Sequence, residues 1–261
     1  MITRWSSGDP EQSMSEDILV GLWETIRRHP WFRARARLGM AALRELGVEP
    51  PARVADVGCG YGLAFEALEQ NGYRVSGLDV SRRVLERLDR PGRELIEADL
   101  SRPLPPGAPQ FDAVLAMEIV EHTDDDRAAV ARLAELVRPG GALVITVPAL
   151  PELFSEFDAA TGHRRRYLPE TLRQAFSGSG LEIERLLWWG SWLAPLLAFQ
   201  RGRRRGQDGE PPAAIYQKYL KLPPWPVPWA FGVALAWEES RCLRGGLRRG
   251  TSLLALARRP R

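Results

Sequence analysis

The chain has 261 residues, 44% of them apolar and 26% charged, and a formal net charge of +3, which gives material for a globular core and too weak an overall field to select nucleic acid as a partner. Its two cysteines, Cys59 and Cys242, exclude a disulfide framework and a cysteine metal cluster and fit a reducing, cytoplasmic setting. Lys218 and Lys221 are the only lysines, so 34 of the 36 basic residues are arginine.

Met1 to Glu16 is polar, without the apolar stretch of a signal peptide, and reads as a frayed leader. Asp17 to Leu46 has helical periodicity with a break at Pro30. Val54 to Val57 is an apolar strand running into alternating Gly58, Gly60 and Gly62, and Leu63 to Gln70 continues as a helix that stops at Asn71-Gly72. Further strands are predicted at Tyr73 to Leu78, Glu94 to Glu97, Phe111 to Ala116, Ala142 to Val147, Leu181 to Trp189 and Ser252 to Arg258. Helices are predicted at Arg82 to Leu88, Arg127 to Arg138 and Pro169 to Ser177, alternating with the strands. That alternation predicts an α/β fold, a Rossmann-like doubly wound sheet with helices on both faces.

Between the last two strands lies Gly190 to Gly250, with the Arg201 to Arg205 run and helices around Ile215 to Leu220 and Phe231 to Leu243. The domain reading is therefore 1–50 as an N-terminal helical cap, 51–189 as a cofactor-binding core, 190–250 as an insertion forming a lid or substrate wall, and 251–261 as the core's last strand. No apolar run reaches the ~20 residues of a membrane span. Leu186 to Phe199 and Trp225 to Trp237 come nearest, and both contain proline.

In an open α/β sheet, ligands sit outside the carboxyl ends of the strands. The residues that stand out here fall at such ends: the glycine turn, Asp79, Asp99, and Met117-Glu118. Asp79 lies 21 positions beyond Gly58, the spacing of an acid that accepts hydrogen bonds from a ribose diol. Glycines that alternate strictly depart from the G-x-G-x-x-G of dinucleotide folds and suit a cofactor without phosphates.

Asp56-Val57-Gly58-Cys59-Gly60-Tyr61-Gly62, Leu78-Asp79, Ala98-Asp99-Leu100, Phe111-Asp112-Ala113-Val114 and Arg138-Pro139-Gly140-Gly141 resemble, in order, the motifs of class I S-adenosylmethionine-dependent methyltransferases. The resemblance covers roughly Arg53 to Arg258. Met117-Glu118-Ile119-Val120-Glu121-His122 is similar to a segment of ubiquinone-pathway O-methyltransferases. Asp158 with Gly162-His163-Arg164-Arg165-Arg166-Tyr167, and His29 to Arg35, resemble segments of a bacterial subgroup of the class. The resemblance implies a seven-stranded sheet with strands one to six parallel and an antiparallel seventh between strands five and six. It implies S-adenosyl-L-methionine as cofactor and S-adenosyl-L-homocysteine as product. Asp56, Gly58, Cys59, Gly60, Gly62, Asp79, Val80, Asp99, Leu100, Met117, Glu118 and Arg35 are then the cofactor-binding residues.

Methyl transfer to a hydroxyl needs alignment and removal of a proton, and histidine is the natural base. His163, oriented by Asp158, and His122 are the catalytic candidates; His122 has the alternative role of capping the helix that begins near Asp124 or touching the cofactor. Arg165, Arg166, Tyr167 and Trp31 are the substrate-binding candidates, the arginines holding an anionic group. No metal is expected. The reading is O-methylation of a small or lipid-like, sugar or natural-product intermediate, with N- or C-methylation as the alternative. A nicotinamide-dependent oxidoreductase and a non-catalytic binding module are the rivals from other classes. The tryptophan-rich insertion admits peripheral contact with the inner face of the membrane, against the reading that its tryptophans line a lid.

Overall fold

The computed structural model describes residues 2–5, 16–194, 211–221 and 226–261. The Arg201 to Arg205 run, and parts of both apolar stretches of the insertion, lie outside the described residues.

Strands β1 (Ile2–Arg4), β2 (Arg53–Val57), β3 (Arg74–Asp79), β4 (Glu94–Glu97), β5 (Phe111–Met117), β6 (Val137–Pro148), β7 (Glu182–Trp189) and β8 (Ser252–Arg258) form one sheet in the order β1-β4-β3-β2-β5-β6-β8-β7. β8 runs antiparallel to β6 on one side and β7 on the other, and the remaining neighbours pair in parallel. The expected seven strands are corrected to eight. Ile2–Arg4 pairs with β4, and the Trp5 amide donates to the Glu97 carbonyl at 2.9 Å, so part of the supposed frayed leader is an edge strand. Three residues are too few to show an alternating pattern in a sequence, whereas the open edge of β4 supplies the pairing.

The two-residue period explains how the central strands are buried on both faces. Val114 and Ala116 of β5 and Ala255 of β8 pack against Leu133 of α6 (Asp126–Leu136) and Leu172 of α8 (Pro169–Ala175). The intervening Ala113, Leu115 and Leu254 face α3 (Pro30–Glu45) and α4 (Leu63–Gln70) through Leu38, Leu43 and Leu68. Gly39 of α3 lets that helix lie close on the sheet, since a Cβ there would stand 2.8 Å from Met117 Sδ.

The break predicted at Pro30 is the start of α3: Pro30 takes the first helical position, and His29 Nδ1 accepts from the Trp31 amide at 3.2 Å. The stretch before it divides into α1 (Glu16–Gly21) and α2 (Trp23–Arg28). The remaining α-helices among the described residues are α5 (Arg82–Leu88), α7 (Glu156–Ala160), α9 (Pro212–Leu220) and α10 (Val227–Leu243). The last two match the helices expected in the insertion. From β2 the chain proceeds outward through β3 to β4, then crosses back to β5 on β2's other side. That reversal opens a crevice at the carboxyl ends of β2 and β5.

Candidate active site

The crevice is the mouth of a cavity of about 1500 Å³. One wall is the glycine turn. Gly58, Gly60 and Gly62 have φ of 69°, 46° and 71°, the left-handed region that L side chains resist. The turn is pinned to β3, because the Gly58 and Cys59 amides donate to the Leu78 carbonyl at 2.7 and 3.0 Å and the Gly60 amide donates to Asp79 Oδ2 at 2.8 Å. Asp79 Oδ1 accepts from the Ser81 amide at 2.8 Å. Burial raises the Asp79 pKa even against these two donors. A Cβ on Gly58 would lie 1.9 Å from Ile119 Cδ1, so the segment after β5 rests on the bare backbone of the turn.

Asp56 is 2% exposed, and its Oδ2 has no hydrogen-bond partner. Burial, followed by the neighbouring Asp79 charge, raises its pKa to about 7. Asp99 holds its own loop, accepting from the Ser101 amide at 2.8 Å and the Ser101 hydroxyl at 2.6 Å through Oδ1. Val80 and Leu100 line the same cavity, as do Cys59, Met117 and Glu118. Glu118 has φ of 60° without being glycine, and its Oε1 is buried without a partner. Strain of this kind collects where function over-determines the backbone. Arg35 Nη1 approaches Glu118 Oε2 at 3.9 Å, and Trp31 stacks on Trp189 with centroids 4.0 Å apart. Both Arg35 and Trp31 line the cavity.

A polar centre adjoins this wall. Asp158, completely buried, accepts from His163 Nδ1 at 3.0 Å and is gripped by Arg166 through Nε at 2.8 Å and Nη2 at 3.0 Å. Burial would raise the Asp158 pKa, but His163 and Arg166 outweigh it and hold the carboxyl below the usual range. A carboxylate accepts only, so the Nδ1 nitrogen carries a proton and Nε2 is the ring nitrogen left for other partners. That Nε2 lies 3.8 Å from Oε1 of Glu121, which is completely buried with neither oxygen hydrogen-bonded. The His122 ring stands edge-on to His163 at 4.8 Å, and burial, followed by the His163 charge, lowers its pKa to about 4.

The capping alternative for His122 is overturned, because α6 is capped by Asp125, whose Oδ1 accepts from the Ala128 amide at 3.0 Å. The expected substrate grip is corrected too. Arg165 donates to the carbonyls of Thr123 and Asp124 at 3.0 and 2.7 Å, and Tyr167 is buried with its hydroxyl on Asp126 at 3.1 Å; neither lines the cavity. Arg166 lines it, but its guanidinium is spent on Asp158 and on the Ala149 carbonyl at 3.1 Å.

Residues outside the sequence-based site complete it. Glu121 is one of them, and its signal is the Glu118-x-x-Glu121-His122 spacing, which the 3₁₀ turn Val120–His122 converts into a cluster. The others are aromatic: Tyr216, Tyr219, Phe231 and Trp192 of the 190–250 segment, with Tyr61 and Phe157. The chain's only two lysines, Lys218 and Lys221, also line the cavity.

A reversed parallel sheet with a late antiparallel strand, a positive-φ glycine turn and buried acids at the ends of β3 and β4 define the class I methyltransferase fold. The sequence profile of the family described as methyltransferase domain matches residues 23–186, and the chain belongs to that family, that of class I S-adenosylmethionine-dependent methyltransferases. Ubiquinone biosynthesis O-methyltransferase from Thiobacillus denitrificans is 40% identical over 97 residues, 34% of this chain and 41% of that protein. Malonyl-(acyl-carrier protein) O-methyltransferase from Enterobacter lignolyticus is 36% identical over 135 residues, 49% of this chain and 53% of that protein. The chain therefore matches about half or less of the length of these relatives. Among solved structures, 1,6-didemethyltoxoflavin-N1-methyltransferase from Burkholderia thailandensis, with 1,6-didemethyltoxoflavin and S-adenosylhomocysteine bound, superposes with a TM-score of 0.52 at 16% identity over 87% of this chain and 79% of that one. This last likeness is one of fold.

Proposed function

We propose that the chain transfers a methyl group from S-adenosylmethionine to an oxygen of a small or lipid-like acceptor that carries an anionic group. S-adenosylmethionine supplies a methyl group activated on a sulfonium, to be displaced in line. The residues fit such a cofactor: Asp79 keeps lone pairs for ribose hydroxyls beyond its two backbone donors, Asp56 Oδ2 is a buried acceptor in need of a donor, and Gly60 leaves backbone uncovered.

The observation that carries the oxygen assignment is the buried Asp158–His163 pair opening into the same cavity. Asp158 fixes the ring so that Nε2 faces a hydroxyl and takes its proton. The names of both curated relatives, O-methyltransferases, support an oxygen acceptor. Aromatic lining favours an apolar or ring-bearing acceptor, and Lys221, beside a Lys218 that pairs with Glu156 at 3.7 Å, supports an anionic group in place of the arginines first expected. Helices α9 and α10, which contribute much of that lining, act as the substrate wall.

Assay of the whole chain with methyl-labelled cofactor on hydroxyl-bearing phenols, sugars and acyl carboxylates tests the reading. His163→Ala should lower turnover by on the order of 100-fold, and unchanged turnover in both His163→Ala and His122→Ala removes the histidine base. Calorimetric binding of a nicotinamide dinucleotide, with no binding of S-adenosylhomocysteine, would overturn the cofactor assignment.

A further inference from the structure

We propose that the groove between α2 and α9 is a subsite for the acceptor's anionic group, a phosphate or carboxylate, held by Lys221 and His29. The inference rests on the reading of an anion-bearing methyl acceptor and says where that anion lies.

Six lysine and arginine side chains line the main cavity, and all but Lys221 already face a carboxylate or a carbonyl. Arg35 stands 3.9 Å from Glu118, Arg164 pairs with Asp124 at 3.2 Å, Arg166 with Asp158 at 2.8 Å and Lys218 with Glu156 at 3.7 Å. Arg132 donates to the Leu100 carbonyl at 2.7 Å. The Lys221 ammonium has no partner among the described residues. It stands just past the end of α9, where the main cavity adjoins a second one of about 440 Å³. His29, Leu220 and Lys221 line both.

This side groove is floored by the buried Leu22 and Leu220, and its polar lining consists of donors: Thr25 and Arg28 of α2, Gln217 of α9, Lys221 and His29. No acid is among the described residues that line it. Arg28 is tied to Glu24 through an exposed pair at 3.3 Å, of a kind worth little, so it remains able to turn toward an anion at the rim.

His29 divides the two spaces. Its ring is 8% exposed, and Nδ1 accepts from the Trp31 amide at 3.2 Å. An amide N–H only donates, so the neutral ring carries its proton on Nε2. That N–H has no acceptor among the described residues, and a donor on a buried ring is costly to leave unmatched. Burial lowers the His29 pKa to about 4, which keeps the ring neutral and the N–H a fixed donor at physiological pH. The same ring stands edge-on to Phe32 and Phe231, with centroids 5.5 and 6.0 Å away, and both of these line the main cavity. An acceptor whose apolar part lies against them reaches the groove past His29. An oxyanion there meets a charge from Lys221 and a hydrogen bond from Nε2, and charge-assisted bonds of this kind are the strong ones.

The whole chain, saturated with S-adenosylhomocysteine at neutral pH, is titrated by calorimetry with phenyl phosphate, benzoate and uncharged phenol. At least one of the two anions should bind on the order of 10-fold more tightly than phenol, and the tighter one names the anion. Lys221→Gln should remove that preference. His29→Asn, which keeps a cap for α3, should reduce it severalfold. In the chain labelled with ¹⁵N at histidine, the Nε2–H signal of His29 should be present at neutral pH and shift when the anion binds, a response that a purely structural cap would not give. Thermal melting identifies a variant that fails to fold, and Lys221→Gln, on an exposed side chain, decides if His29→Asn does so. Phenol binding as tightly as both anions, absence of binding by either anion, or a preference unchanged in folded Lys221→Gln overturns the subsite. Binding of S-adenosylhomocysteine without an anion preference removes the groove and leaves the methyltransferase reading intact, whereas failure to bind it removes that reading itself.

Discussion

Replacing Gly58 by alanine would place a methyl group 1.9 Å from Ile119 Cδ1, on a backbone whose φ of 69° an L residue resists. Both penalties fall on the wall proposed for the cofactor, so Gly58→Ala should lower stability by about 1–3 kcal/mol and abolish S-adenosylhomocysteine binding; denaturant melts with calorimetry check this. Asp79→Asn keeps shape but loses charge and one acceptor. It should weaken the same binding by about 10- to 100-fold, with folding retained. A variant that binds as tightly as wild type would remove Asp79 from the ribose assignment. These residues are legible in the sequence because their signal is local: a glycine alternation, and an acid at a fixed distance from it. Glu121 and Asp158 are legible in part, through the Glu118-x-x-Glu121-His122 spacing and the acid five residues before His163, but their meeting is not. What makes them a centre is the contact of two loops through His163, and a lone sequence does not announce which loops meet. The arginines after His163 mislead because Arg165 donates to the distant Thr123 and Asp124 carbonyls and Arg166 to the buried Asp158 nearby.

Helix α10 carries two different faces. Phe231 and Ala234 line the cavity, while Trp229, Val233 and Trp237 repeat every fourth residue on the solvent side, with the tryptophans 65% and 61% exposed. Arg241 stacks over Trp237 at 5.1 Å, setting a cation at the end of that apolar strip. No described helix is long and apolar enough to cross a membrane, but a strip of this kind suits the surface of an anionic bilayer, with tryptophan at the headgroup level. Trp229→Ser with Trp237→Ser should leave melting and S-adenosylhomocysteine binding unchanged while removing co-sedimentation with phosphatidylglycerol vesicles at low salt. No sedimentation of the wild-type chain would remove the membrane contact. The periodicity of α9 and α10 is visible in the sequence. Which of their faces meets the cavity is not, because the hydrophobic residues run almost all the way round α10 and packing against α3 and β7 selects a side.

Proton binding couples the proposed cofactor site to the stability of the whole molecule. With Asp56 raised to about 7 by burial and by Asp79, the folded chain holds a proton that the unfolded chain releases near pH 4. The free energy of unfolding should therefore fall as pH rises from about 4 to 7, by on the order of 4 kcal/mol for this group. Asp79, also raised, adds in the same sense. Asp112, where donors from Arg53 and Arg138 outweigh burial, acts oppositely and only at acid pH, its contribution being lost as pH falls. Thermal melts of the cofactor-free protein should show this decline, and Asp56→Asn should flatten it; an equal slope in the variant would exclude Asp56 as the source. The layout of the sheet has a consequence for synthesis. β8, made after every other described strand of the sheet, fills the gap between β6 and β7. Until it emerges, β7 has no neighbour to join and β6 presents a bare edge, so a nascent chain stalled before Ser252 carries one unpaired strand and one open sheet edge. Such a chain is open to protease and to self-association, and the native sheet can close only after translation of the domain is nearly complete.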